Sequence, residues 1–217
     1  MPTLPIPKGP IPNGSITKGA SGWNAKHRAA AEEPLAEPAG FVRELLPLLP
    51  LGPALDLACS SGRHALLLAS RHQPVTAVDS SDVALEILEQ RAHAAHCAVT
   101  HIKRAAQIPN RRQGIQLWRA DLEQARLPSQ AFSLVLCVNY LQRSLFSQIE
   151  NALVAGGMLL FETYTVAQLD FAGGPRNPNY LLELGELRTA FPGLRSLFYR
   201  ELRAGKGIAS LIAQKPG

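Results

Sequence analysis

Cysteine is scarce in this 217-residue chain, and its three copies form no set. Cys59, Cys97 and Cys137 lack the spacing of a metal site, and an odd number cannot all pair. Cys59 and Cys137 fall in apolar runs that read as strands, where a reduced thiol acts as a small core residue. The expected compartment is therefore reducing, namely the cytoplasm. A long apolar run is missing as well. The leucine-rich stretch Leu45–Leu57 is broken by Pro47, Pro50 and Pro53, which makes it too short and too interrupted to span a bilayer. The start of the chain carries Pro2, Pro5, Pro7, Pro10 and Pro12 with no apolar run of the kind a signal peptide needs. A soluble chain is the expectation. Aromatic residues are missing where a nucleic-acid surface would need them. The net charge is +5 and the pI about 9.4, but the basic residues are dispersed apart from Lys103, Arg104, Arg111 and Arg112. No aromatic side chain interleaves that cluster, so it reads as a solvated loop and nucleic-acid binding is not expected. His64 and His72 have no partners at ligand spacing and read as helix-surface residues, so no metal site is expected.

What is present is an ordinary globular composition, 46% hydrophobic and 18% charged, in a length suited to one domain. A globule of this size buries roughly 70% of its unfolded surface and needs no staples. Residues 1–20 read as a flexible Pro- and Gly-rich tail and residues 21–217 as the domain. Trp23 and the Phe41-Val42-Leu45-Leu46-Leu49 pattern predict two amphipathic helices before the first strand. Short apolar runs then alternate with helix-period segments. Strands are predicted at Ala54–Cys59, Val75–Asp79, Ile115–Ala120, Phe132–Val138 and Met158–Tyr164. Helices are predicted at Gly62–Arg71, Val83–Ala95, Leu141–Ala155 and near Glu183–Phe191. This alternation implies a parallel sheet with crossover helices on both faces. The alternation ends in two β-rich runs, Leu197–Leu202 and Ile208–Ala213, joined by Ala204-Gly205-Lys206-Gly207, which is a hairpin signal.

The chemistry centres on Leu55-Asp56-Leu57-Ala58-Cys59-Ser60-Ser61-Gly62-Arg63-His64-Ala65, where an apolar strand runs through small residues directly into a helix. Ligands of open parallel sheets bind at the carboxyl ends of the strands, and small residues there admit the ligand to the backbone. The second strand ends in Asp79, 23 residues after Asp56, a position suited to accepting from ribose hydroxyls. Ser80, Ser81 and Asp82 are available to cap the next helix, which leaves Asp79 for a ligand. Asp121 follows the third strand, where a carboxylate can accept from an exocyclic amine while Leu122 covers a base.

These residues resemble the class I S-adenosylmethionine-dependent methyltransferases across about Trp23 to Gln214, and within them the small bacterial branch of TehB-like, tellurite-resistance methyltransferases. The run Asp56–Arg63 and Ala77-Val78-Asp79 carry the match. Phe161-Glu162-Thr163-Tyr164-Thr165, Pro175-Arg176-Asn177-Pro178 and the Trp23-Asn24-Ala25-Lys26-His27 segment support it. The resemblance implies a doubly wound, seven-stranded, mostly parallel α/β sheet with a C-terminal antiparallel hairpin. It implies S-adenosylmethionine as cofactor, S-adenosylhomocysteine as product, and no metal. Ala58, Cys59, Ser60 and Gly62 would border the methionine part, with Asp56 reaching its ammonium through water. Asp79 and Ser80 would hold the ribose, Asp121 and Leu122 the adenine, and Cys137 and Val138 would stand near the sulfonium. Trp23 would join them from the N-terminal helix, and Arg63 could pair with the cofactor carboxylate. Two departures stand out. The family usually has glycine at the position of Ser60, and a left-handed backbone there costs a serine about 1 kcal/mol. The stretch from Cys97 to Gly114, with His96 and His101, looks like an insertion loop.

Methyl transfer from a sulfonium mainly requires desolvation and alignment, which supply on the order of 7–11 kcal/mol in well-oriented systems. A dedicated general base is optional, so no catalytic residue is assigned. Acceptor-side candidates follow the fourth and fifth strands: Asn139, Tyr140, Arg143, Thr163, Tyr164, Arg176, Asn177 and Tyr180. Arg143 and Arg176 would suit an anionic acceptor. The expected partner is a small molecule, with tellurite or selenite suggested by resemblance alone. Two rivals remain: a cofactor-binding scaffold without turnover, and a nicotinamide-dependent oxidoreductase. The second would want a Gly-x-Gly-x-x-Gly turn, where this chain has Ser60-Ser61-Gly62-Arg63-His64-Ala65.

Overall fold

Eight strands form one sheet in the order β3-β4-β2-β1-β5-β6-β8-β7. The computed structural model describes residues 20–31, 33–103 and 113–217. The tail expected over 1–20, but for its last residue, and Arg104, Arg111 and Arg112 of the basic cluster lie outside the described residues. The strands are β1 (Ala54–Leu57), β2 (Pro74–Asp79), β3 (Val99–Ile102), β4 (Gly114–Arg119), β5 (Phe132–Val138), β6 (Leu153–Tyr164), β7 (Arg195–Arg203) and β8 (Gly207–Gln214). The helices are α1 (Ala20–Ala29), α2 (Gly40–Leu45), α3 (Arg63–Ala69), α4 (Asp82–Ala94), α5 (Phe146–Ala152) and α6 (Glu186–Thr189). β8 alone runs against its neighbours, pairing antiparallel with β6 and β7. The hairpin closes at Arg203–Gly207, where the glycine-containing turn was predicted.

Central strands buried on both faces read as near-continuous apolar runs; β5 is of this kind but for Ser133, and β1 but for Asp56. Side chains alternate between faces. Leu55, Leu57, Val135, Phe161 and Leu211 pack with α5 and α6 on one side. There Phe146, Phe161 and Phe191 stack at 4.9–5.9 Å between centroids. Ala54, Leu134, Leu136, Leu160 and Ile212 pack on the other side with Phe41, Leu68 and Leu88 from α2, α3 and α4.

Three expectations change. The sheet has eight strands rather than seven, because Val99–Ile102 pairs in parallel with β4 at the sheet edge. Part of the segment read as an insertion loop is therefore an edge strand. The helix predicted at Leu141–Ala155 is shorter: a 3-10 turn at Arg143–Leu145 leads into α5, and the chain is already extended at Leu153. His64 lies inside. It is 4% exposed, and its Nε2 accepts the backbone N–H of Ala39 at 3.1 Å. The segment leading into α2 covers the first turn of α3, which puts this ring in the interior. His72, by contrast, is exposed as expected.

Candidate cofactor and acceptor site

The chain steps from β1 outward to β2 and β4 and then returns to the other side of β1 as β5, so the sheet's switch point lies between β1 and β5. After Leu57 the backbone leaves the sheet. Cys59 N–H is held by the carbonyl of Val78, and Gly62 N–H by that of Cys59. This turn requires left-handed backbone at Ala58 (φ 52°), Ser60 (φ 53°) and Gly62 (φ 87°). Serine at 60 is thus strained as foreseen, and Ala58 is a second such position that the sequence did not disclose. Each costs about 1–2 kcal/mol. Ser60 is held by its N–H donating to Asp79 Oδ2 at 2.9 Å. At Gly62 the requirement is doubled, because a Cβ there would lie 2.0 Å from Leu88 Cδ1 on α4. That glycine serves helix packing as well as backbone conformation.

Asp79 ties the second strand to this turn. Its Oδ2 accepts from Ser60 and its Oδ1 from Ser81 N–H at 2.9 Å, each oxygen keeping a further lone pair. Ser81 caps α4 by accepting from Ala84 N–H, and its hydroxyl donates to Asn24 Oδ1 of α1 at 2.6 Å. α1 therefore lies beside the end of β2. The charge of Asp79 reaches His27, whose pKa burial lowers, Asp79 raises and Lys26 lowers. Trp23, from the same helix, is 37% exposed with the Lys26 ammonium 5.0 Å over its ring.

The three carboxylates share one neighbourhood. Ala120 N–H donates to the Asp79 carbonyl, which brings Asp121 alongside, exposed, with Leu122 buried beneath it. Tyr140, half-buried after β5, is pushed up by burial first and then by Cys137, Glu123, Asp121 and Asp79, so its phenol stays protonated. Cys137, at the end of β5, is pushed up by burial and by Asp56. Cys59 is pushed up by burial, Asp79 and Asp56. Both thiols are inert core groups.

Asp56 is 1% exposed, and its Oδ2 has no hydrogen-bond partner. Burial pushes it up to about 7, outweighing Arg63 and the Ala65 N–H, while Asp79 pushes the same way. His64 is held down to about 3 by burial and by Arg63. The two groups pull stability in opposite senses. Asp56 ionises near 3.8 when unfolded, so the folded state keeps a proton that the unfolded chain loses, and stability falls as pH rises from about 4 to about 7. His64 protonates near 6.5 when unfolded, so stability is lost as pH falls from about 6.5 towards 3. Within their overlap the slopes offset each other. Urea unfolding across this range should show His64→Gln losing stability as pH rises and Asp56→Asn gaining it, each by about 1 kcal/mol per pH unit. Parallel profiles for the two variants would contradict this account.

The acceptor-side candidates divide. Tyr140 stands beside the acids, its hydroxyl donating to Gln142 Oε1 at 2.5 Å. Asn139 follows β5 with φ 59°, and Tyr164 ends β6 half-buried. Arg143 is committed elsewhere: it forks onto both oxygens of Glu186 at 2.6 and 2.7 Å and donates to the Leu181 carbonyl. Arg176 closes its own loop through the carbonyls of Leu169 and Phe171, and Asn177 caps the following turn. Arg63 donates to the Glu37 carbonyl. Glu162 on β6 is 3% exposed, a buried acid that the sequence reading did not single out. Among the described residues, no group of three or more His, Cys, Asp or Glu is placed to hold a metal ion.

A family model described as a methyltransferase domain matches residues 55–161. Among solved structures, TehB from Haemophilus influenzae superposes with a TM-score of 0.66 at 16% identity, over 86% of this chain and 65% of that one. The N-methyltransferase NodS from Bradyrhizobium japonicum gives 0.60 at 15% identity, over 89% and 96%. The [4+2]-cyclase SpnF gives 0.59 at 18% identity, over 81% and 78%. The chain thus spans less than two thirds of the length of TehB, and at these identities the likeness is one of fold. No curated protein sequence matches it. The chain has the class I S-adenosylmethionine-dependent methyltransferase fold, and residues 55–161 of it match the methyltransferase-domain model.

Proposed function

We propose that the protein transfers a methyl group from S-adenosylmethionine to a small-molecule acceptor. The observation that carries this reading is the shared neighbourhood of Asp56, Asp79 and Asp121 at the switch point of the sheet. The residues fit the cofactor. The unpartnered Asp56 Oδ2 offers a buried acceptor for the ammonium, directly or through water, and Asp79 retains lone pairs for two ribose hydroxyls. Ala58, Cys59, Ser60 and Gly62 surround the methionine part in this assignment, and Ser80 assists Asp79. Asp121 and Leu122 take the adenine, Cys137 and Val138 stand beside the sulfonium, and Trp23 approaches from α1. S-adenosylmethionine supplies a methyl group already attached to a good leaving group. The chain's own contribution is to bind, exclude water and orient the acceptor along the ends of β5 and β6.

The three cysteines are free, and no described helix is long and apolar enough to cross a membrane. We place the protein in a reducing cytoplasm on that basis. The likeness to TehB makes tellurite one acceptor to test. A second reading, cofactor binding without turnover, is favoured by the strained Ala58 and Ser60, and the likeness to SpnF, a [4+2]-cyclase, fits the rule that a fold does not fix a reaction. Calorimetry with S-adenosylmethionine followed by labelled-methyl transfer into metabolite pools separates the readings. Binding with transfer supports the enzyme; binding with no transfer to any pool supports the scaffold.

A further inference from the structure

The register of the sheet lines up one row of side chains on the face covered by α2 and α3. Leu57 pairs with Cys137, so Ala58 leaves the sheet beside Val138. Val138 pairs with Glu162, Glu162 with Ser210, and Ser210 with Arg200. One end of this row is the strained cofactor turn and the other is a polar cluster. Adjacent strands lie about 4.8 Å apart, so Glu162 stands about 10 Å across the sheet from Ala58, at the same carboxyl-end level.

A carboxylate 3% exposed in a central strand is costly to bury unless something uses it. Its immediate partners do not consume it. The Ser210 hydroxyl donates to Glu162 Oε2 at 2.6 Å, and the Arg200 guanidinium approaches the same oxygen at 3.7 Å, beyond hydrogen-bonding distance. Arg200 is held from turning further. It lies 4.9 Å from the Phe41 ring centroid and 6.0 Å from that of Phe198, and its Nε donates to Ser210 Oγ at 3.3 Å. Phe41 and Phe198 themselves stack at 5.8 Å, which fixes α2 over this end of the sheet. Serine by a hydrogen bond and arginine as an ion pair therefore both act on Oε2, with no hydrogen bond formed at Oε1 among the described residues.

We propose that Glu162 is the residue that selects and positions the acceptor, and that the acceptor is an amine whose N–H donates to Oε1. This inference rests on the methyltransferase reading above. A carboxylate on the acceptor side favours a donor and repels an oxyanion, so tellurite is disfavoured. An alkyl amine arrives as its ammonium and passes one proton to Glu162, which frees the nitrogen lone pair. That pair forms the new N–C bond while the C–S bond breaks, and the C–S electron pair returns to sulfur. The methylated product leaves as an ammonium, and Glu162 returns its proton to water. Glu162 requires an N–H or O–H donor, and a deprotonated amine is a far better nucleophile than a neutral hydroxyl.

The test uses the full chain, labelled S-adenosylmethionine, and a panel of alkyl and arylalkyl amines, the matching alcohols and thiols, and tellurite. Transfer to amines is expected, with Glu162→Gln raising the amine KM about ten- to a hundred-fold, the loss of one charge-assisted hydrogen bond. S-adenosylhomocysteine affinity should be unchanged in that variant, and amine binding measured by calorimetry in its presence should weaken by the same factor. Ser210→Ala, which leaves the carboxylate in place, should show a smaller KM effect in the same direction. Transfer to thiols, alcohols or tellurite but to no amine would overturn the assignment. So would cofactor binding with no amine transfer, or equal loss of cofactor and amine binding in Glu162→Gln. Failure of the wild type to bind the cofactor at all would instead sink the methyltransferase reading.

Discussion

Asp79→Ala is expected to weaken S-adenosylmethionine binding by about a hundred- to a thousand-fold. Two contributions add. The carboxylate is assigned to both ribose hydroxyls, with Ser80 assisting, and each hydrogen bond to a charged acceptor is worth about 1.5–3 kcal/mol. It also holds Ser60 N–H and Ser81 N–H at 2.9 Å, so its removal releases the strained turn and loosens the start of α4. Asp79→Asn keeps an oxygen for one of these amides and should fall between wild type and alanine. Calorimetry gives the affinities, and circular dichroism shows whether the fold survives. An alanine variant that is folded and binds within about threefold of wild type would remove Asp79 from the cofactor site.

Gly62→Ala should produce the largest loss of stability of any single methyl addition near the site. The added Cβ meets Leu88 Cδ1 at 2.0 Å and Cγ at 2.8 Å, and Leu88 is fully buried between α4 and the sheet. Overpacking of this kind costs about 1–3 kcal/mol, and forcing alanine to a φ of 87° adds about 1–2 kcal/mol. A combined loss of about 3–4 kcal/mol should lower the Tm by roughly 10 °C in a chain of this size. The clash and the strain separate in a double-mutant cycle. Leu88→Ala alone is destabilising, but combined with Gly62→Ala the losses should fall short of additive, because the shorter side chain gives the new methyl room. Strict additivity would show that backbone strain alone governs the position.

The parts of this architecture that local pattern controls were legible in the sequence. Phe132–Val138 is an apolar run with no competing period, and its strand has those bounds. The cap of α4 was among the candidates the sequence offered: Ser81 takes it, while Asp79 accepts from the N–H groups of Ser60 and Ser81. What escaped depends on distant partners. His64 has no apolar signature, and its burial is decided by the Ala39 amide 25 residues earlier in the chain. Val99–Ile102 is only four residues long, with Thr100 and His101 exposed, so nothing in its pattern distinguishes an edge strand from a loop. Arg143 looked suited to an anionic acceptor until Glu186, 43 residues away, was seen to occupy both arms of its fork. Glu162 lies within a family-like run, but its surroundings are set by Ser210 on β8, 48 residues on, and by Arg200 on β7, two strands away. Ala58 concealed its left-handed backbone because alanine gives no warning of φ, whereas Ser60 was suspect only where glycine was the expectation.

The most direct measurement is a calorimetric titration of the full chain with S-adenosylhomocysteine at neutral pH, with reduced nicotinamide dinucleotide as the comparison ligand. A single saturable site for the adenosyl ligand, lost in Asp79→Ala and absent for the dinucleotide, is the predicted result. No heat with the adenosyl ligand, or a preference for the dinucleotide, would contradict the account at its centre.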